Sequence, residues 1–186
     1  MRLKARQNLK FLTLTALSAA VLCVLSPFSF PALALPVTLS LFAVFLISAI
    51  FTPKISLCSV AVYILIGALG LPVFSGFIGG FGVFLGPTGG FILGYLPSAL
   101  LVSVLSHRDI LKSKLLCLTL SMLSGLTVCY LFGCAWLGYI TKTGFFNALA
   151  VTASTCLIPD LIKIFLAALI SFEIKKRLGN KEINND

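Results

Sequence analysis

The sequence has few charged residues. Charged side chains occupy only 10% of its 186 positions, whereas hydrophobic residues occupy 59%, and the mean hydropathy is +1.12. A soluble domain of this length would carry roughly a quarter charged residues, because its surface must face water. We therefore predict an integral membrane protein rather than a soluble domain with a large core.

Patterns typical of metal sites and enzymes are also missing. His107 is the only histidine, and the six cysteines lie in or beside apolar stretches without a C-x-x-C spacing. Neither a zinc site nor a disulfide framework is therefore indicated. A membrane enzyme would need paired acids, a histidine cluster or an activated nucleophile within its spans. We expect no metal, no cofactor and no enzymatic activity.

Most of the positive charge lies between the apolar runs. Of the fourteen Lys and Arg residues, four lie in Arg2–Lys10, three in Arg108–Lys114 and four in Lys175–Lys181. Together with Lys54, twelve cations fall on the side predicted to be cytoplasmic, against only Lys142 on the other side. This distribution favours positive-inside topology, with both termini in the cytoplasm, over a nucleic-acid-binding surface.

The apolar runs predict six membrane-spanning helices. A helix that crosses about 30 Å of hydrocarbon needs about 20 mostly apolar residues. The runs are Phe11–Phe30, Pro36–Phe51, Ile55–Leu71, Gly86–Leu105, Leu115–Leu137 and a last one that ends near Phe172. We predict one all-α membrane domain over residues 1–186: a basic cytoplasmic N-terminus (1–10), a compact six-helix bundle (11–178) and a cytoplasmic tail (179–186).

Two boundaries have alternatives. The basic start, the apolar Phe11–Leu25 and Ala32-Leu33-Ala34 resemble a cleavable signal peptide. We favour a retained helix, because Phe28–Leu35 stays apolar beyond a normal signal core. For the last span, we predict that Pro159 begins the helix, because proline suits a first turn, and that Phe145–Leu157 is a short separate or re-entrant helix.

Asp160 and Lys163 are the candidate ligand-binding charges. They share a helix face at i and i+3, and none of the first five spans carries a charge. Ionisable groups within a span by default mark a substrate site. The first helical turn would also favour Asp160 through the helix dipole. The alternative is a structural ion pair near the interface, with Lys163 extended outward.

Ten of the fifteen glycines lie in Gly67–Gly94. Glycine lets the backbone approach a ligand closely, and no Gly-Lys-Ser/Thr follows that would indicate a phosphate loop. We interpret Ser75–Leu85 as a mobile extracellular loop that serves as a lid. Packing between membrane helices is the alternative reason for the glycines in Gly86–Gly94.

Trp136 and Tyr139 lie at the predicted outer end of the fifth span. Aromatic residues collect at membrane surfaces, and this is the favoured explanation for Tyr139. For Trp136, stacking on a flat ligand ring is an equal alternative.

Several of these motifs together resemble the BioY family. The stretch Gly67–Gly90, with its Leu-Pro-Val-Phe and closing Leu-Gly-Pro-Thr-Gly-Gly, is similar to that family's signature loop. Further similarity lies in Thr15-Ala-Leu-Ser-Ala-Ala20, Pro36-Val-Thr-Leu and Pro-Asp160-Leu-Ile-Lys163. The sequence departs from the family pattern at Phe77-Ile78, where a polar residue is usual, and at Ser40, where glutamine is expected.

The resemblance implies a biotin-specific S component of an energy-coupling factor (ECF) transporter. Biotin would be held near the outer face of the cell (inner) membrane, and partners, a transmembrane coupling subunit and two ATPases, would supply energy. The implied biotin-binding residues are Asp160, Lys163, Trp136, Tyr139, Tyr63, Gly86, Thr88 and Phe74. The A-x-x-x-A face of Ala16 and Ala20 would meet the coupling subunit, unless it only packs internally. Specificity for thiamine or riboflavin, a membrane enzyme and a passive structural protein are the alternatives.

Overall fold

The computed structural model describes residues 2–30, 36–108 and 113–178. The Ala32-Leu33-Ala34 motif and the predicted tail 179–186 lie outside these ranges. In chain order the elements are α1 (Arg2–Leu25), β1 (Ser29–Phe30), β2 (Val37–Thr38), α2 (Ser40–Ile50), α3 (Pro53–Ala68), α4 (Gly82–Leu85), α5 (Gly89–Ser106), α6 (Lys114–Ile140) and α7 (Phe145–Leu178).

The helical, membrane-type architecture is confirmed. Within the described ranges, four helices are long and apolar enough to cross a membrane, namely α1, α5, α6 and α7. Helices α2 and α3 are apolar but shorter, with 11 and 16 residues. At 1.5 Å per residue, α2 extends only about 17 Å, so the count of six spans stays a prediction.

Helix α2 lies in the middle of the bundle. Nine of its eleven residues are buried, and Ala43, Val44 and Phe45 have no exposed surface. It packs against α7 on one side and α5 on another, and it also contacts α1 and α3. A helix that is apolar all round belongs in a core, which explains why this short segment has few polar residues.

Helices α5 and α6 form the most extensive helix pair. Gly90 of α5 lies directly against the Trp136 side chain, where an added methyl group would overlap the indole. At Gly94, an added methyl would lie 3.2 Å from the β-carbon of Phe132. Small residues allow membrane helices to approach closely, so helix packing accounts for these two glycines.

The structure overturns the predicted start of the last span. Helix α7 runs without interruption from Phe145 to Leu178 and contains Pro159 in its interior. Phe145–Leu157 is therefore not a separate or re-entrant helix, and Asp160 gains nothing from a helix N-terminus. Neighbouring helices in a membrane protein can supply the hydrogen bonds that an interior proline removes, so proline does not have to end a helix there.

Loops close one end of the bundle. Strands β1 and β2 pair antiparallel, with Ser29 opposite Thr38. The segment between α3 and α4 lies against them, because the Gly76 amide donates to the Pro27 carbonyl at 3.0 Å. The Gly80 amide donates to the Gly67 carbonyl at 2.7 Å and returns the chain to the end of α3. Gly76 and Gly80 have φ values of 75° and 99°, which L-residues rarely adopt.

Candidate functional site

A cavity of about 120 Å³ lies beneath these loops. This volume far exceeds the roughly 10–15 Å³ that a single water molecule requires. Six helices (α2 to α7), β2 and the loop between α3 and α4 contribute to its wall. The lining residues are Pro36, Val37, Thr38, Ser40, Leu41, Tyr63, Phe74, Ser75, Ile78, Val83, Thr88, Phe91, Ile92, Tyr95, Cys129, Tyr130, Thr152, Cys156 and Asp160.

The carboxylate of Asp160 is held from two sides. The Tyr130 hydroxyl on α6 donates to Oδ2 at 2.8 Å, and the Lys163 ammonium on α7 donates to Oδ1 at 2.8 Å. Asp160 is 6% exposed and Tyr130 is 8% exposed. A buried carboxylate is stable only when it is paired and hydrogen-bonded, and both conditions are met here. The two donors fix the position of the carboxylate in the cavity wall.

Asp160 is the only charged residue among the described residues that line the cavity. Its partner Lys163 forms the ion pair from outside the lining, with 12% of its side chain exposed. The pair leaves this part of the wall without net charge, and Asp160 itself remains a lining residue. This arrangement suits a ligand that offers N–H or O–H donors to a fixed acceptor.

Aromatic rings form much of the remaining wall. The Phe74 ring makes edge-to-face contacts with Tyr63 and Phe84 at 5.6 Å between ring centres. It lies on Gly67, where any side chain would overlap the ring. Phe91 contacts Tyr130 edge-on at 6.4 Å. Such pairs stabilise one arrangement of rings, so the apolar wall has a defined shape.

Neutral hydroxyl groups supply the other polar atoms of the wall. Ser40 is 2% exposed, and its hydroxyl donates to the Ser26 carbonyl at 3.3 Å. Thr88 precedes α5 and makes no capping hydrogen bond with its side chain. Ser75 lies in the loop between α3 and α4. These groups can donate to a ligand or accept from it, whatever its charge.

The structure brings some of the predicted site residues together and leaves others apart. Asp160, Tyr63, Phe74 and Thr88 line one cavity, and Lys163 contacts Asp160. Gly86, Trp136 and Tyr139 do not line the cavity. The Trp136 indole donates to the Gly86 carbonyl at 3.1 Å, and Tyr139 is 75% exposed. Ligand contact by any of these eight residues stays a prediction.

Sequence reasoning did not identify several lining residues of α6 and α7. Thr152 and Cys156 precede Asp160 by eight and four residues, so helical periodicity alone would place them on its face once α7 is known to be continuous. The assumed break at Pro159 hid this relation. Tyr130 carries no comparable signal, because only the packing of α6 against α7 brings its hydroxyl to Asp160.

The glycine-rich loop, Ser75–Leu85, contributes directly to the cavity wall. Ser75, Ile78 and Val83 line it, whereas Phe77 is 60% exposed and adopts a φ of 59°. The Phe77 ring contacts Phe28 edge-on at 5.7 Å. The loop therefore covers the cavity in this conformation, and its mobility as a lid stays a prediction.

Ala16 and Ala20 lie on the exposed face of α1, whereas Thr15 and Ala19 face the bundle and are buried. The two alanines therefore do not pack inside this chain. Across the described residues, no group of three or more His, Cys, Asp or Glu side chains could hold a metal ion.

The sequence of this chain matches the BioY family over residues 1–180. Biotin transporter BioY2 of Lactococcus lactis is 32% identical over 96% of this chain and 100% of that protein. The probable biotin transporter BioY of Pyrococcus horikoshii is 36% identical over 87% of this chain and 89% of its own length. Biotin transporter BioY of Thermotoga maritima is 34% identical over 80% of this chain and 85% of its length.

The fold is also similar to a solved structure. That structure is the crystal structure of the S-component for biotin from an ECF-type ABC transporter. The TM-score is 0.77 over 92% of this chain and 93% of the other, with 23% sequence identity. At this identity the similarity establishes the fold.

Proposed function

This chain belongs to the BioY family, and we propose that it is the biotin-binding S component of an ECF transporter. It captures biotin in the cavity beneath the glycine-rich loop. A transmembrane coupling subunit and two ATPases are its partners, and they supply the energy for uptake. The chain itself acts as a transporter subunit and carries out no chemical reaction.

The observation that carries this proposal is the carboxylate of Asp160 in an otherwise uncharged, largely apolar wall. Biotin has a ureido ring with two N–H donors, an apolar thiophane ring and a valerate tail. Ligand pockets of this kind are mostly apolar, with a few convergent polar groups that fix orientation. The ureido group matches the fixed acceptor, and the ring sulfur and tail match Phe74, Phe91 and their neighbours.

Asp160 retains the capacity to bind the ureido group. A carboxylate has about four acceptor positions, and Tyr130 and Lys163 occupy one on each oxygen. The free positions accept from the ureido N–H groups. Lys163 lies outside the cavity lining, and its part in binding is to hold the Asp160 carboxylate through the ion pair. The tyrosine hydroxyl orients the carboxylate toward the ligand.

Binding of three vitamins to the purified protein tests the proposal. Isothermal titration in detergent is expected to give saturable heat with biotin and none with thiamine or riboflavin. Asp160→Asn is the matched variant, because it keeps the size of the side chain but removes its charge, and it is expected to lose the heat with biotin. Saturable heat with thiamine or riboflavin and none with biotin would contradict the proposal.

We further propose six membrane spans in the cell membrane, with both termini in the cytoplasm. The four long apolar helices and the two shorter ones, α2 and α3, support this number. The distribution of twelve cations against Lys142 supports the orientation. In this orientation the glycine-rich loop and the mouth of the cavity lie outside the cell.

A further inference from the structure

The segments that supply most of the described cavity wall contain no Lys or Arg. No Lys or Arg occurs between Lys54 and Arg108, a stretch that contains α3, the glycine-rich loop and α5. Residues 31–53, which include β2 and α2, also lack Lys and Arg. Among the described lining residues, Asp160 alone is charged, and it is negative.

Lys163 and Lys142 are the cations nearest in sequence to the lining residues of α6 and α7, and neither lines the cavity. Lys163 forms the 2.8 Å ion pair with Asp160 and does not line the cavity. Lys142 lies in the exposed turn between α6 and α7 and does not line the cavity either. An anionic group of a ligand therefore finds no cation in the described wall to pair with.

The polar groups away from Asp160 are hydroxyls, among them those of Thr38, Ser75 and Thr88. Three backbone amides at the start of α5 already donate to carbonyl groups of the chain itself. Gly89 donates to the Gly86 carbonyl at 3.2 Å, and Phe91 and Ile92 both donate to the Thr88 carbonyl. Neutral hydroxyls can donate to an amide or ester carbonyl as well as to a carboxylate, and burial of a carboxylate without a cation is costly.

We infer that the site selects the ring system of its ligand and does not require a negative charge on the tail, so that uncharged amides and esters of biotin are ligands as well. This inference rests on the proposed function. The carboxylate of free biotin stays in water at the mouth of the cavity, where conversion to an amide changes little. Specificity resides at the Asp160 end, where the ureido donors meet the carboxylate.

Titration of the full-length protein in detergent with biotin, biotinamide and biotin methyl ester tests the inference. The dissociation constants of the two uncharged compounds are expected to lie less than about tenfold from that of biotin, a span that corresponds to about 1.4 kcal/mol. A loss of tenfold or more with both compounds would show that the site recognises the carboxylate and would overturn the inference. If none of the three compounds binds, the proposed function fails and the inference fails with it.

Lys142→Gln tests whether Lys142 pairs with the carboxylate of the biotin tail. This residue is exposed and outside the cavity lining, so the variant is expected to bind biotin and biotinamide as the parent does. A drop of tenfold or more for biotin alone would identify Lys142 as the cation that holds the tail and would also overturn the inference.

Discussion

Asp160 connects two helices through a single carboxylate. Its oxygens accept from Tyr130 on α6 and from Lys163 on its own helix, and the group is 6% exposed. Such an arrangement is compatible with a ligand site and with a purely structural ion pair. The two roles differ in what happens when both charges are removed together.

The double substitution Asp160→Asn with Lys163→Met separates these roles. If the pair is only structural, the double variant folds well and binds biotin, because neutral residues can replace a buried ion pair without loss of stability. We expect instead that both single variants and the double variant lose biotin binding. A lost charge-assisted hydrogen bond with a stranded partner costs about 2–4 kcal/mol, roughly thirtyfold or more in affinity.

The measurement is the biotin dissociation constant together with the thermal unfolding temperature in detergent for all three variants. A double variant with the affinity of the parent would reduce Asp160 and Lys163 to a structural pair. Single variants that are less stable than the double variant would show, independently of binding, that each charge depends on the other.

Tyr130→Phe tests whether the hydroxyl on α6 orients the carboxylate. The substitution keeps the ring and its contact with Phe91 but removes the 2.8 Å hydrogen bond to Asp160. A hydrogen bond to a charged group contributes about 1.5–3 kcal/mol, so we expect biotin affinity to fall about tenfold or more. Tyr139→Phe is the matched control, because that tyrosine is 75% exposed and outside the cavity lining. Equal effects of the two variants on affinity would argue against the role of Tyr130.

At the scale of helices, α1 presents two different faces. Ala19 is 3% exposed and packs in the bundle, whereas Ala16 and Ala20 are exposed. We expect Ala16→Trp or Ala20→Trp to leave biotin binding intact and to abolish uptake in cells, because the indole blocks the surface that meets the coupling subunit. Ala19→Trp, on the buried face, is expected to destabilise the protein by overpacking. Joint loss of binding and uptake in Ala16→Trp would contradict the coupling-surface interpretation.

The end of α5 is connected to α7 near a half-buried histidine, His107. The Lys175 ammonium donates to the Ser106 carbonyl at 3.2 Å, and the His107 Nδ1 atom lies 2.8 Å from the Ser103 carbonyl. The Nε2 atom of His107 is buried and has no hydrogen-bond partner within the described part of the chain. Burial lowers the pKa of His107 from its ordinary value of 6.5, and the nearby Lys175 charge lowers it further.

This lowered pKa predicts a loss of stability in acid. The unfolded chain binds a proton at His107 near pH 6.5, whereas the folded protein binds it only at lower pH. The contribution of His107 to stability is therefore complete above about pH 6.5 and decreases as the pH falls below it. We expect a lower unfolding temperature at pH 5.5 than at pH 7.5, and a smaller difference for His107→Gln. The same pH dependence in both proteins would exclude His107 as its source.

At the scale of the whole molecule, orientation in the membrane decides on which side the cavity opens. Single cysteines at positions 142 and 180, in a background without the six native cysteines, report it through an impermeant maleimide added to intact cells. The distribution of twelve cations against one predicts labelling at position 142 and none at position 180. Labelling at position 180 alone would reverse the topology and put the cavity mouth in the cytoplasm.

Features that depend on composition and short motifs were predictable from the sequence. Low charge and long apolar runs indicated helices in a membrane, because a chain with so little charge cannot cover a water-facing surface. The family resemblance followed from motifs that are contiguous in the chain, such as the stretch Gly67–Gly90. Asp160 and Lys163 were recognisable together because i and i+3 residues share a face on any helix.

Features that depend on packing between distant segments needed the tertiary structure. A proline in a helical segment can lie either in the first turn or in the interior of the helix. Only the surrounding helices allow Pro159 to lie inside α7 rather than at its start. The contact of Tyr130 with Asp160 joins residues thirty positions apart on different helices, and no periodicity within one helix contains it. The sequence by itself therefore determined the membrane class, the family and the charged pair, because those follow from local chemistry. The tertiary structure alone decided which side chains surround the pair, because that depends on how α2, α5, α6 and α7 pack.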